Sequence, residues 1–463
     1  MNRRGFFRFA LAIAGGSAGT ISALPALARR RGAGSGPATA RPLSESVAPA
    51  HARVVAVGIP GAGAIGPVGR FLAGGPIHDN PAFAAYTQSG RVLDPSRIMV
   101  GSSSNFGAPV ANASQAPGSL LTIDPSGDGT LRVPAAFAAG DGQISALNGR
   151  LQLFSAQSPA FLNRINTPGA ATADMAGVSA PRALSINNAF GRIWPANVPA
   201  GLDGTSSESI LDPNGLPLAG APYPVSGGVF AADLTGRRPQ PLVPGGLTSA
   251  AIGTALLGRS PDGSTRAVFA AVLADGSLVQ MHTEQGVDGL APAGTVTPLI
   301  GAAGAEDLSS GVVLNFEPLR VLYVSDALAN TVVALTLTDD RQIFHVGDTR
   351  VITSHQFNQP VGLAPTQPET EDTDWASNTM LFEGSDMFVA NRGDGTLVRM
   401  QQDGTVVAAV QVTLPNGASL GDARLSSVAV SSDGARIWVT TDGALPGFEG
   451  LDGAVLELPA FGG

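Results

Sequence analysis

The side chains able to do chemistry in this chain are few in kind. There is no cysteine, and every one of the 27 basic residues is an arginine. Disulfides, thiolate metal sites, cysteine nucleophiles, Schiff bases and phosphate-loop lysines are therefore excluded. The five histidines, His51, His78, His282, His345 and His355, are scattered and cannot build a multi-histidine copper cluster. His78 in GGPIHDNPAF and His355 in TSHQFNQPVG lie beside polar groups, where acid–base work and a structural loop role are both open. What recurs is oxygen chemistry. Asn105, Asn187, Asn188, Asn197, Asp326, Asn330, Asn391 and Asp394 each fall where a strand-like run gives way to a loop. Gathered at one point, such groups would line a ligand pocket, or hold calcium or magnesium in preference to zinc. The competing reading is that Asn and Asp cap turns through local backbone hydrogen bonds.

Other motifs carry less. DPSGDGT at 124–130 resembles a calcium loop but lacks the full ligand spacing and a terminal bidentate Glu, so it reads as a hairpin turn, as do PDGS at 261–264 and RGDGT at 392–396. GAGAIG at 61–66 is not followed by the helix of a dinucleotide loop and reads as a strand connection. No H-E-x-x-H helix is present. Three tryptophans, Trp194, Trp375 and Trp438, are too few for the tryptophan docking of quinoprotein propellers.

The elements that must position these residues are strands. Glycine and proline number 60 and 35, which suits a chain with very many turns and disfavours long helices. At 44% apolar and 14% charged, the chain can bury a sizeable core. From residue 53 one unit recurs, a short β-run, a tight turn and a second β-run. Its best copies are LSSVAVSSDGARIWVTTDG with GAVLELPAF, DMFVANRGDGTLVRMQQDGTVVAAVQV and VLYVSDALANTVVALTL. Weaker copies are TRAVFAAVLADGSLVQMHTEQG, FGRIWPANVP with GGVFAADLTG, RLQLFSAQSPAFLNRINTPG, and RIMVGSSSNFGAP with GSLLTIDPSGDGTL. Spacing of roughly 50 to 60 residues predicts an all-β fold, a β-propeller of seven four-stranded blades, with six or eight as alternatives. The last copy supplies three strands, so a strand near Val54–Val57 is expected to complete its blade and close the ring. Acidic inserts interrupt the repeat at 198–226, with Asp203, Glu208 and Asp212, and at 365–380, with Glu369, Glu371, Asp372 and Asp374. Both read as solvated loops.

These units resemble the YVTN and NHL propeller repeats and, more distantly, the gluconolactonase and senescence-marker propellers. VAVSSDG followed by IWVTTDG carries the likeness most clearly. The second resemblance implies a calcium-type site of one Glu, two Asn and one Asp at the channel mouth. Glu317, with Asn315 in LNFEPLR, is the candidate acid, although the family's motifs do not match residue by residue.

Asn2-Arg3-Arg4-Gly5-Phe6-Phe7-Arg8, followed by a glycine-diluted apolar run and Ala26-Leu27-Ala28, resembles a twin-arginine export signal over 1–28. Residues 29–52, rich in Arg, Gly, Ala, Ser and Pro, read as a disordered linker, leaving 53–463 as the propeller. No other stretch reaches the length of a membrane span. A formal charge of −9 disfavours nucleic acid. The expectation is a periplasmic or secreted monomer that binds a small ligand or another exported protein, with Asn187, Asn188, Asn197, Asp326, Asn330 and Asn391 as ligand-binding candidates and Glu317 as the metal candidate. A calcium- or magnesium-dependent lactonase-like hydrolase and a cofactor-binding redox partner are the alternatives.

Overall fold

The structure is a computed structural model that describes residues 47–63, 65–68, 97–102, 119–139, 144–148, 181–187, 192–197, 207–208, 223–224, 228–233, 240–241, 251–259, 267–273, 277–284, 291–300, 308–315, 320–339, 343–366, 380–381, 384–431 and 433–461. All of them belong to one compact unit, Ala40–Gly463. Asn105, Asn188, Glu317, His78, the PDGS turn and the proposed signal lie outside the described residues.

The chain opens with β1 (Ala48–His51) and β2 (Arg53–Val57). Next come β3 (Ile65–Val68), β4 (Arg97–Ser102), β5 (Ser119–Ile123), β6 (Leu131–Arg132), helix α1 (Val133–Ala139) and β7 (Ile144–Asn148). Of these, β3-β4-β5-β7 form the first blade. The second blade takes β8 (Pro181–Asn187), β9 (Arg192–Asn197), β12 (Gly228–Asp233) and β13 (Gln240–Pro241), while β10 (Ser207–Glu208) and β11 (Tyr223–Pro224) pair inside the 198–226 insert. The third is β14 (Ala251–Arg259), β15 (Ala267–Leu273), β16 (Leu278–Glu284) and β17 (Ala291–Ile300). The fourth is β18 (Leu308–Asn315), β19 (Val321–Asp326), β20 (Thr331–Asp339) and β21 (Phe344–Thr353). The fifth is β22 (Pro360–Pro365), then β24 (Met387–Asn391), β25 (Thr396–Met400) and β26 (Val406–Thr413), with β23 (Met380–Leu381) lying between β22 and β24 in sequence. The sixth is β27 (Arg424–Val430), β28 (Arg436–Ala444) and β29 (Asp452–Pro459), completed by β2.

Each blade is an antiparallel meander, and the first strands β3, β8, β14, β18, β22 and β27 pack in succession until β27 meets β3 again. The described sheets thus form a closed β-propeller of six blades, where the repeat spacing predicts seven. The difference has a definite origin. The copy RLQLFSAQSPAFLNRINTPG lies outside the described residues, and the half-unit at 53–68 is divided, β2 closing the sixth blade and β3 opening the first.

Packing explains the strand sequences. A middle strand has a neighbouring blade on both faces, so β24 (MFVAN) is buried at every position and Val268 to Leu273 of β15 are all fully buried. Within β19, Val324 joins the core between the third and fourth blades and Tyr323 the core between the fourth and fifth. The outermost β21 is largely exposed. Innermost strands approach closely: a Cβ on Gly362 would stand 3.0 Å from Ser427 Cα, so β22 and β27 touch backbone to backbone.

Several added strands guard sheet edges. β1 pairs in parallel with β26, β6 pairs in parallel with β2, and β23 pairs in parallel with the inner edge of β18. Ala48–His51 is therefore part of the propeller, and the fold begins before residue 53 rather than after a linker ending at 52. The 124–130 loop is likewise no hairpin turn, because it leads to β6 on another blade. Asp124 Oδ1 accepts from Ser126 N at 3.0 Å, an Asx turn, and the carbonyls of Gly127 (2.8 Å) and Pro125 receive the Arg53 guanidinium. RGDGT does form a hairpin turn, with Gly395 at φ 72°.

Candidate functional site

Each propeller end has its own loops. Connections from the second strand to the third, and from one blade to the next, share one end, called upper here. Connections from the first strand to the second and from the third to the fourth share the lower end.

Asp326 ends β19 and is 4% exposed. Its Oδ1 accepts the amide of Ala329 at 3.0 Å and caps the turn before β20. Burial pushes its carboxyl above the usual carboxylate range, against the backbone hydrogen bonds from Ala329 and Leu328. Asn330 closes that turn at φ 55°, and its Oδ1 accepts Gln359 N at 2.6 Å, reaching the connection to the next blade. Asn391, the counterpart of Asp326 in the fifth blade, is fully buried. Its Nδ2 donates to Gln356 O at 2.6 Å and to Thr396 Oγ1 at 2.7 Å, and its Oδ1 accepts Asn358 N at 3.2 Å. Asp394 Oδ1 accepts from Thr396 N at 3.0 Å and from Thr396 Oγ1 at 2.7 Å.

The network then crosses to the sixth blade. Arg392 N donates to Gln359 O at 2.9 Å, Gly393 N donates to Asn358 O at 3.0 Å, and the Arg392 guanidinium pairs with Asp442 at 2.5 Å. Loops of the fourth, fifth and sixth blades are thereby tied into one polar rim. Gln356, Asn358, Gln359, Arg392 and Asp442 are its unforeseen members. The polar run SHQFNQP immediately before β22 was the signal available in the sequence.

The five described ligand-binding candidates do not share one end of the propeller. Asn197 pairs with Pro181 and Asn187 with Arg192, at opposite ends of the same two strands. Asn197, Asp326, Asn330 and Asn391 thus belong to the upper end and Asn187 to the lower. Asn315 pairs with Val321 while Asp326 pairs with Leu308, so β18 and Asn315 also end at the lower end. Asn187 closes a first strand, whereas Asn197, Asp326 and Asn391 close second strands. Among the described residues, no three of His, Asp and Glu gather as metal ligands. His355 is exposed at the upper end, and His51 Nδ1 lies 3.0 Å from Thr413 Oγ1.

Chemically, the upper end offers hydrogen bonding. Three side-chain atoms there, Thr254 Oγ1 near the start of β14, Gln356 Oε1 and Thr441 Oγ1, are buried without a hydrogen-bond partner. Such groups are satisfied by water or by a ligand. Leu328, 59% exposed, stands at the tip of the fourth-blade turn.

No protein-family model and no curated protein matches the chain. Several solved structures are similar at low identity. Regucalcin, a calcium-binding protein from Agrobacterium tumefaciens, is similar at 14% identity over 89% of this chain and 95% of its own, with a TM-score of 0.43. Virginiamycin B lyase from Staphylococcus aureus with quinupristin is similar at 10% identity over 79% and 92%, with a TM-score of 0.36. An α-L-arabinofuranosidase from Fusarium graminearum is similar at 10% identity over 78% and 89%, with a TM-score of 0.40. This chain's own strand pairing makes it a β-propeller.

Proposed function

We propose that this chain is an exported, monomeric propeller that acts as a binding module, presenting its upper rim to another exported protein or to a small ligand. One observation carries the reading. The upper-end candidates Asn330 and Asn391 are spent on joining loops, in a network that runs on through Gln359 and Arg392 to Asp442. A rim locked in this way is preorganised, which is what a docking surface requires, because little ordering entropy is lost on binding. Exposed Leu328 supplies an apolar contact on that rim.

The test uses the mature chain as bait in an extract of exported proteins and metabolites, beside Leu328→Asp. A stoichiometric partner or ligand retained by the natural chain and lost by a variant of unchanged melting temperature supports the module. Lactone turnover that needs added calcium or magnesium, and is abolished by Glu317→Ala, would replace it with the hydrolase. A visible absorption band from a bound organic cofactor would replace it with the redox partner.

A further inference from the structure

Ala48–Val57 is one continuous extended segment with partners in three blades. Its first half, β1, lies on the outer edge of the fifth blade, with Ala48 opposite Val410 and His51 opposite Thr413. Its second half, β2, is the fourth strand of the sixth blade, with Arg53 opposite Glu457 and Val57 opposite Ala454. No slack separates the halves: Ala52 is buried, and its amide donates to Thr413 O at 2.8 Å. At the first end, Thr413 Oγ1 donates to Ala50 O at 3.2 Å and lies 3.0 Å from His51 Nδ1. At the second, Arg53 donates to Glu457 Oε1 at 3.1 and 3.2 Å, while Trp438 Nε1 donates to Glu457 Oε2 at 2.9 Å. The first blade's loop is held as well, by Arg53 on Gly127 O and by Thr130 Oγ1 on Val54 O at 3.0 Å.

Side-chain packing follows the same division. Ala52, Val54 and Val57 sit in the core shared by the fifth and sixth blades, and Val55 and Ala56 in the core shared by the sixth and first. We propose that residues 48–57 act as a single strap, so that loosening either half opens the seams on both sides of the sixth blade together. A strand that only completed the sixth blade would leave the fifth indifferent to it. Here one buried residue joins the halves and one apolar cluster contains both, which is the condition for a cooperative opening unit.

Amide hydrogen exchange on the full mature chain tests this with one conservative change at each end. Thr413→Val removes the hydroxyl bonds of the first half, and Glu457→Gln weakens the hold on Arg53. Thr413→Val is expected to raise exchange about five- to tenfold in β2 and β29 as well as in β1 and β26, the loss of about one hydrogen bond. Glu457→Gln is expected to do the reverse across the blades, and β15 and β16 of the third blade stay unchanged. The double variant should fall short of additivity. Effects confined to the substituted blade would overturn the strap. Should Glu457→Gln fail to fold, Arg53→Lys, which keeps the charge, gives the same comparison.

Discussion

Asp326 and Asn391 occupy the same position in neighbouring blades, the last residue of a second strand before a four-residue turn closed at positive φ by Asn330 or Gly395. Asn391 has a donor as well as an acceptor, and uses both. Asp326 is a buried carboxyl raised by desolvation. Its folded state keeps the proton to higher pH than the unfolded chain does, so in the interval above the ordinary Asp value the folded state binds more protons. Stability from this group is greatest below that interval and is lost as pH rises through it. Asp326→Asn removes the dependence, and Thr331 stands where Thr396 accepts the Asn391 amide. The variant should be more stable than the natural chain by about 1 kcal/mol at pH 7 and indistinguishable near pH 4, read from urea midpoints. That Asn and Asp mark turns was legible at this scale. Their cross-blade partners were not, because Asn330 meets Gln359 and Asn391 meets Gln356 through a fold that no local pattern encodes.

Among the elements, the start of β29 is the tightest contact in the closing blade. A Cβ on Gly453 would lie 1.8 Å from Ile59 O, and the amides of Gly58 and Ile59 both donate to Gly453 O, at 2.9 and 3.1 Å. Gly453→Ala should cost more than about 3 kcal/mol, whereas Gly447→Ala, at φ 84° with open space around it, should cost about 1 kcal/mol. Thermal unfolding of the two separates steric clash from backbone strain. The outer strands show a different device: β21 carries a register shift opposite Leu335–Leu337 together with charged Asp348 and Arg350, which discourages pairing with another chain. Closure by Val54–Val57 was legible because the last repeat copy has only three strands of its own. β1 was not, because APAH contains a proline, lacks alternation and follows an Arg/Gly/Pro-rich stretch. Blade number is harder to read for a related reason. Degenerate copies are counted by likeness, whereas blades are counted by which strands pair.

For the whole molecule, export and folding meet at the N-terminus. If residues 1–28 direct twin-arginine export, Arg3→Lys with Arg4→Lys should leave the chain uncleaved and inside the cell, with its propeller intact, since the fold begins at Ala48. Cell fractionation checks the first outcome and protease resistance the second. Phe461 packs on Phe388 with ring centroids 5.2 Å apart and its carbonyl accepts Arg399, so the segment after β29 rests on the fifth blade. That placement decides how the molecule bears load. Because Arg53 lies opposite Glu457, the pulled end of β2 adjoins the pulled end of β29. Once β1 has left β26, tension between Arg53 and Pro459 therefore unzips that ladder one bond at a time instead of shearing it. The clasp that closes the ring is, for this reason, easy to peel from that side.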